Sequence, residues 1–302
     1  MKKGVILGSE QKENVVEGFS IIIPAYNEEA GIASVLESML SVMGRSNIDY
    51  ELLVVDDGST DGTAEIVRES GVGLIQHSSN RGYGAALKTG ISRASYKAIL
   101  ITDADGTYPN ERILDLIRVY KEGSFDMVIG ARTSKNVSIP IIRKPAKWII
   151  GKLANYLTRM KIPDLNSGLR VMRKEKLEKF MQILPEGFSF TTTITLAMLT
   201  NGCSVKYVPV DYYKRKGKSK IKPIQDTLNF MQLIIRTVLY FNPLNVFVPL
   251  SLILVVLAIV VLLGGWFFLG ILMDESFGII IMAAMMVMAI GLLADLIDKR
   301  IQ

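Results

Sequence analysis

The sequence predicts an α/β domain followed by a membrane segment: a mainly parallel sheet with helices on both faces, then interfacial helices, then a C-terminal two-helix transmembrane hairpin. Three observations carry this. Between residues 19 and 135, continuous apolar runs alternate with stretches whose apolar residues recur at helical spacing, the pattern of strands buried on both faces by crossover helices. Two of those runs, ELLVVDDGSTDGT (51–63) and AILITDADGTYP (98–109), end abruptly in paired aspartates and a glycine. Finally, the 33 residues from Phe241 to Met273 contain no Asp, Glu, Lys or Arg, and a second uncharged run extends from Phe277 to Ala294. A helix needs about 20 apolar residues to cross a bilayer core.

Taken in order, FSIIIPAYN reads as a strand leading into a loop. In EEAGIASVLESMLSVM, Ile32, Val35, Leu36, Met39, Leu40 and Met43 fall on one helical face. Strand ELLVVDD, helix TAEIVRES, strand VGLIQH, helix GAALKTGISRA, strand AILITDAD, helix NERILDLIRVYKE and strand DMVIGAR follow. Further on, QDTLNFMQLIIRTVLY has apolar residues at helical spacing and is expected to lie along a membrane surface. The expected divisions are an N-terminal extension (1–18), a catalytic domain (19–220), an amphipathic juxtamembrane helix (221–240) and the hairpin (241–302).

Composition narrows the function. The 302 residues are 49% hydrophobic. A single cysteine, Cys203, precludes an intrachain disulfide, and a single histidine, His77, argues against a zinc site or a Ser-His-Asp triad. The opening MKKGVILGSEQKENVVEGF turns polar after a short apolar patch and does not read as a secretory signal. Lys214 to Lys222 precede the first span, Lys299 and Arg300 follow the second, and Asp274 and Glu275 lie between, so the catalytic part and both termini are expected on the cytoplasmic side. Residues 140–222 hold 18 Lys/Arg against 5 Asp/Glu, and the remainder holds 17 against 24. A basic segment beside a membrane suits anionic headgroups or an anionic lipid substrate. The anchor argues against nucleic acid as a partner.

In parallel sheets ligands bind beyond the carboxyl ends of the strands, where both aspartate pairs sit. Asp61 and Thr63 are explained equally well as helix caps. Gly82-Tyr83-Gly84-Ala85-Ala86-Leu87 is most of a dinucleotide fingerprint, but its third glycine is Leu87 and it leaves the aspartate loops unexplained. Asp103-Ala104-Asp105-Gly106 begins like a calcium loop, but the twelfth position is Leu114. A nucleotide sugar with a divalent metal fits better. Splayed carboxylates at a strand end let one reach a metal and the other reach ribose or a metal-bound water. Magnesium is commonly held by one or two carboxylates plus phosphate oxygens.

Here the motifs resemble a family. Ile21-Ile22-Ile23-Pro24-Ala25-Tyr26-Asn27-Glu28-Glu29, Val54-Val55-Asp56-Asp57-Gly58-Ser59-Thr60-Asp61-Gly62-Thr63, Asn80-Arg81-Gly82-Tyr83-Gly84-Ala85-Ala86 and Asp103-Ala104-Asp105 are similar, in order and spacing, to family 2 glycosyltransferases of the GT-A fold, a Rossmann-like arrangement. Asp164-Leu165-Asn166-Ser167-Gly168-Leu169-Arg170 and Arg215-Lys216-Gly217-Lys218-Ser219-Lys220 resemble the branch that glycosylates polyprenyl phosphates, the dolichol-phosphate mannose synthase type.

The resemblance implies a nucleotide-diphosphate sugar donor, a polyprenyl (dolichyl or undecaprenyl) phosphate acceptor, Mg2+ or Mn2+, and inversion at the anomeric carbon. It places Pro24, Tyr26 and Glu28 in the nucleotide pocket and Asp56 at the base. It places Asp103 on ribose or a metal water, Asp105 on the metal and Arg132 near sugar and acceptor. Arg170, Arg215, Ser219 and Lys220 would hold phosphates. Asp164 is either a base or sugar contact, or a turn residue after Pro163. Many relatives carry Gln where this chain has Thr107, which leaves the role of Thr107 open. The hairpin either anchors the enzyme, presents the lipid or promotes a homo-oligomer. Two readings compete: another membrane glycosyltransferase making glycolipid or polysaccharide, and a non-catalytic nucleotide-sugar binder. The Gln-x-x-Arg-Trp of processive synthases is absent.

Overall fold

The computed structural model describes residues 18–134, 151–152, 154–156, 160–187, 189–213, 232, 239, 243–270 and 273–301. Residues 1–17 of the expected extension, most of residues 221–240, where a juxtamembrane helix is expected, and the basic run from Lys214 lie outside the described residues.

The chain runs β1 (Phe19–Ala25), α1 (Glu29–Gly44), β2 (Tyr50–Asp56), α2 (Thr63–Glu69), β3 (Gly73–Gln76), α3 (Tyr83–Arg93), β4 (Ala98–Ile101), α4 (Ile113–Gly123) and β5 (Met127–Ala131). These match the elements expected from the apolar runs. After β5 come β6 (Arg170–Arg173), α5 (Lys174–Glu178), α6 (Phe190–Thr200) and β7 (Val205–Pro209). The described strands form one seven-stranded sheet in the order β3-β2-β1-β4-β6-β5-β7.

All pairings are parallel except those of β6, which runs antiparallel to both β4 and β5. The mainly parallel sheet is therefore present, with one reversed strand inserted. Because β6 runs backward, its first residue, Arg170, pairs with Ile101 and Ile129 near the carboxyl ends of β4 and β5. The loop leading into β6 is thus delivered to the rim where the parallel strands end.

Successive residues of a strand point to opposite faces, and here both faces are covered. Ile21, Ile23, Val54 and Leu100 pack with Ile32, Leu36 and Met39 of α1 and with Leu116 and Ile117 of α4. Ile22, Val55, Ile99 and Ile101 pack on the other face with Leu87 and Ile91 of α3 and with Phe190 and Ile194 of α6. This is why the strands read as unbroken apolar runs rather than as alternating ones.

Pro24 sits inside a central strand, where the missing N–H would normally cost a ladder bond. The last β1–β4 pair is Ile22 with Ile101. The Ile22 carbonyl accepts Thr102 N–H on the β4 side, and the Ala25 carbonyl accepts Asp57 N–H on the β2 side. Pro24 therefore faces the gap where β4 has already left the ladder.

At the C-terminus, α7 (Leu244–Gly264) continues as a π-helical turn (Gly265–Leu269), and α8 (Asp274–Ile301) follows. Both helices are long and apolar enough to cross a membrane, and only 11% of the most apolar stretch of either is buried. Core helices of that composition would be covered. The two pack on each other at small residues, with Ala258 and Ala284 buried and Gly291 against Phe247. At the base of α7, Val246 packs on a cluster of Ala154, Ile162, Leu165, Leu196 and Leu199, which seats the hairpin against the globular part.

Candidate active site

Strand order reverses at β1, whose neighbours are β2 and β4. In such sheets the binding crevice lies at that switch point. The loops after β1, β2 and β4 meet there.

The first two loops are tied together by hydrogen bonds. Asn27, at a φ of 53°, donates its N–H to Ser59 Oγ at 2.9 Å and accepts Thr60 N–H on Oδ1 at 2.8 Å. Glu28 N–H donates to Thr63 Oγ1 at 2.9 Å. Asp61 Oδ1 accepts from Thr63 N at 3.1 Å and from Thr63 Oγ1 at 2.5 Å, the capping use open to it from sequence. Glu28 precedes α1 without a side-chain capping bond. Tyr26 and Glu28 are half-buried beside this joint.

The two aspartates after β2 divide their duties. Asp56 Oδ1 accepts Ser59 N–H at 3.1 Å and Oδ2 accepts Gln76 Nε2–H at 3.1 Å. Asp57 faces the other way. It meets His77 Nδ1 at 2.7 Å and accepts the N–H groups of Arg81 at 3.0 Å and Gly82 at 2.7 Å. His77 Nε2 lies 2.9 Å from Thr89 Oγ1. Asp57 and His77 are thus a buried brace that sets the start of α3, a role invisible in the sequence.

The dinucleotide-like glycines have a packing reason. Gly82 has a φ of 107°, and Cβ atoms added at Gly82 and Gly84 would meet the carbonyl oxygens of Glu186 at 2.6 Å and Pro185 at 2.1 Å. The 185–187 turn lies where a pyrophosphate would have to approach. Replacing Gly84 with Ala forces backbone against backbone and is expected to cost about 1–3 kcal/mol or more. A fall in thermal unfolding temperature checks this.

After β4, Asp105 is buried and its Oδ1 accepts both Thr107 N–H at 3.1 Å and Thr107 Oγ1–H at 2.6 Å. This is what Thr107 does: it orients Asp105. Asp103 is half-buried, and its Oδ1 accepts Tyr83 Oη–H at 3.0 Å. Burial, reinforced by the Asp103 carboxylate, pushes the Tyr83 phenol well above its ordinary range, so it stays a donor.

The loop before β6 brings the remaining groups. Asp164, buried, accepts three N–H bonds from Arg132: backbone N at 2.9 Å, Nε at 2.8 Å and Nη2 at 2.8 Å. Arg132 Nη2 also donates to Asn166 Oδ1 at 2.6 Å, and its guanidinium lies 5.2 Å from the centre of the Tyr212 ring. Burial works against the charge on Arg132, but Tyr108 and Asp164 outweigh it and raise its pKa further. Tyr212 packs edge-on against Tyr108 at 5.2 Å and lies within electrostatic reach of Asp103 and Asp105. One connected site therefore includes Asp103, Asp105, Thr107, Tyr108, Arg132, Asp164 and Tyr212.

Arg170 is a correction. The sequence placed it on a phosphate. The structure buries it completely. Its Nε donates to Ser167 O at 3.1 Å, its Nη1 to Thr191 O at 3.1 Å and Thr195 Oγ1 at 2.9 Å, and its Nη2 also to Ser167 O. The guanidinium clamps the 164–169 loop onto α6 and does not reach the rim. Charge alone cannot distinguish a buried clamp from a ligand contact. Arg215, Ser219 and Lys220 lie outside the described residues.

The fold and the rim loops define a glycosyltransferase scaffold of GT-A type. Glucosyl-3-phosphoglycerate synthase from Mycobacterium tuberculosis, solved with Mn2+, UDP-glucose and phosphoglyceric acid, superposes with a TM-score of 0.59 at 18% identity over 74% of this chain and 80% of that one. That likeness concerns the fold. The family model described as Glycosyl transferase family 2 matches residues 20–181, and the chain belongs to that family.

Among curated relatives, a dolichyl-phosphate hexose transferase of Haloferax volcanii is 29% identical over 213 residues, covering 70% of this chain and 90% of that protein. The low-salt glycan biosynthesis hexosyltransferase Agl6 of the same organism is 28% identical over 217 residues; this chain spans about half of its length, 52%.

Proposed function

We propose that the protein transfers a hexose from a nucleoside-diphosphate sugar to a polyprenyl phosphate at a membrane, with inversion and with a divalent metal. The observation that carries this reading is one juxtaposition. The Asp103-Ala104-Asp105 carboxylates and the braced Arg132 share one site, in a globular unit that is seated directly on a hairpin of two apolar helices. The named activities of the Haloferax relatives support the acceptor class, and the Mn2+ and UDP in the solved neighbours support the donor and metal class. In this reading residues 19–220 form the catalytic unit and the hairpin holds it, with the catalytic side and both termini cytoplasmic.

The carboxylates fit a magnesium-like ion. Among the described residues no cluster of three or more His, Cys, Asp or Glu side chains could enclose a metal. Two carboxylates, one pre-set by Thr107, suit an ion that completes its shell with diphosphate oxygens and water. When bound, such an ion neutralises the charge that builds on the departing nucleoside diphosphate.

The protein's own groups do the rest. Tyr26 and Glu28 line the crevice, and Asp56 lies at its β2 side. Arg132 presents a fixed cation near the sugar and the incoming phosphate. A phosphate monoester is already largely anionic near neutral pH, with a second pKa of about 6. Alignment and charge stabilisation are therefore needed more than a strong base. Asp164 is read here as the group that holds Arg132, because its carboxylate is directed at three N–H groups of that residue.

The test is transfer from labelled GDP- and UDP-sugars to a short polyprenyl phosphate by the full chain, with Mg2+ or Mn2+ and with EDTA. The expected result is label in the organic phase for one donor, lost with EDTA. No lipid product with any donor overturns the acceptor assignment.

A further inference from the structure

We propose that Tyr83 is a positioning residue which, with the backbone of Gly168, fixes the Asp103 carboxylate in the orientation that meets the metal–nucleotide complex. This rests on the reading of Asp103 and Asp105 given above.

The geometry comes from two segments distant in sequence. Tyr83 opens α3. Its place is set from below: Asp57 accepts the N–H groups of Arg81 and Gly82, and Ala85 N–H donates to Glu186 O at 2.9 Å. From that anchored turn the phenol reaches Asp103 Oδ1 at 3.0 Å. Gly168 also lies against this carboxylate. A Cβ added there would lie 2.5 Å from Asp103 Oδ2 and 2.7 Å from Oδ1. No side chain fits between the loop and the carboxylate. Gly168 is itself held, its N–H donating to Tyr108 Oη at 2.8 Å, while Ser167 Oγ–H donates to Gly130 O at 2.6 Å.

Asp103 thus meets both a hydrogen-bond donor and a backbone wall. A carboxylate's terminal torsion is otherwise broad, so a free one would have to be ordered at each binding event. Asp105 is oriented within its own turn by Thr107, whereas Asp103 depends on α3 and on the 164–170 loop. Partners that orient a ligating carboxylate typically change metal affinity about 10- to 100-fold. The glycines on either side of Tyr83 permit the close packing that brings its hydroxyl to this point.

The experiment measures Mn2+ binding by the full chain in detergent with UDP or GDP present, from the electron paramagnetic resonance signal of free Mn2+. Tyr83→Phe, Gly168→Ala, Asp103→Ala and Asp105→Ala are compared with the parent, each with a thermal unfolding curve. Tyr83→Phe is expected to weaken Mn2+ binding about tenfold with the unfolding temperature nearly unchanged. Gly168→Ala should also weaken it, because its methyl group would displace the carboxylate. Parental Mn2+ affinity in Tyr83→Phe, with binding lost in Asp103→Ala, overturns the role of Tyr83 alone. Parental affinity in both Asp103→Ala and Asp105→Ala overturns the metal reading, and this proposal with it.

Discussion

Asp105→Ala is expected to lower turnover by about a thousandfold or more, the scale on which removing a group that stabilises developing charge is felt. Stability should fall far less. The change leaves Thr107 N–H and Oγ–H without their acceptor in a buried turn, at a cost of about 1–3 kcal/mol. Asp105→Asn separates the two effects. The amide oxygen can still accept from Thr107, but the negative charge is gone. Initial rates at saturating donor and metal, set beside thermal unfolding, make the comparison. Near-parental turnover in Asp105→Asn would sink the assignment of this carboxylate to the metal.

The second large effect is expected at Asp164, and it should appear first in stability. Its side chain is fully buried, and that of Arg132 is 13% exposed. Asp164→Ala leaves three N–H groups and a cation without their counter-charge. Breaking one partner of such a pair costs about 3–5 kcal/mol, enough to lower the unfolding temperature by many degrees. Arg132→Lys tests the other side. It keeps the charge but cannot reproduce the forked contact with Asp164 or the guanidinium's packing over the Tyr212 ring. A sharp loss of transfer with the fold intact is expected there. If Asp164→Ala unfolds like the parent and only its pH–rate profile changes, Asp164 acts as a proton acceptor rather than as a support for Arg132.

Much of the sheet was legible because parallel strands covered on both faces have a simple signature. Ile21 to Ala25, Leu52 to Val55 and Ala98 to Ile101 are apolar at every position, and each run stops where the chain reaches the rim. The same abrupt stops pointed to Asp103 and Asp105. What stayed hidden has physical reasons. The strand Arg170–Arg173 is four residues long with a charge at each end, so it offers no apolar run. Its burial comes from α6 and from neighbouring strands far away in sequence. Asp56 and Asp57 are identical in type and adjacent, yet one holds Ser59 and Gln76 and the other braces α3; only the direction of each side chain separates them. Thr107 looked like a gap in a familiar pattern and proves to orient the carboxylate two residues before it. His77, with no chemistry assigned from sequence, is a buried link between Asp57 and Thr89.

The reversed strand has a consequence for how this enzyme can diversify. The chain leaves the rim at Arg132 and returns to it at Asp164, and those two residues are bonded to each other. The excursion between them is closed at its own base, like a drawstring. A change in the number of residues between the two ends is expected to leave strand register and the Asp103 and Asp105 carboxylates in place, provided Ala154 and Ile162 keep their packing beneath the hairpin.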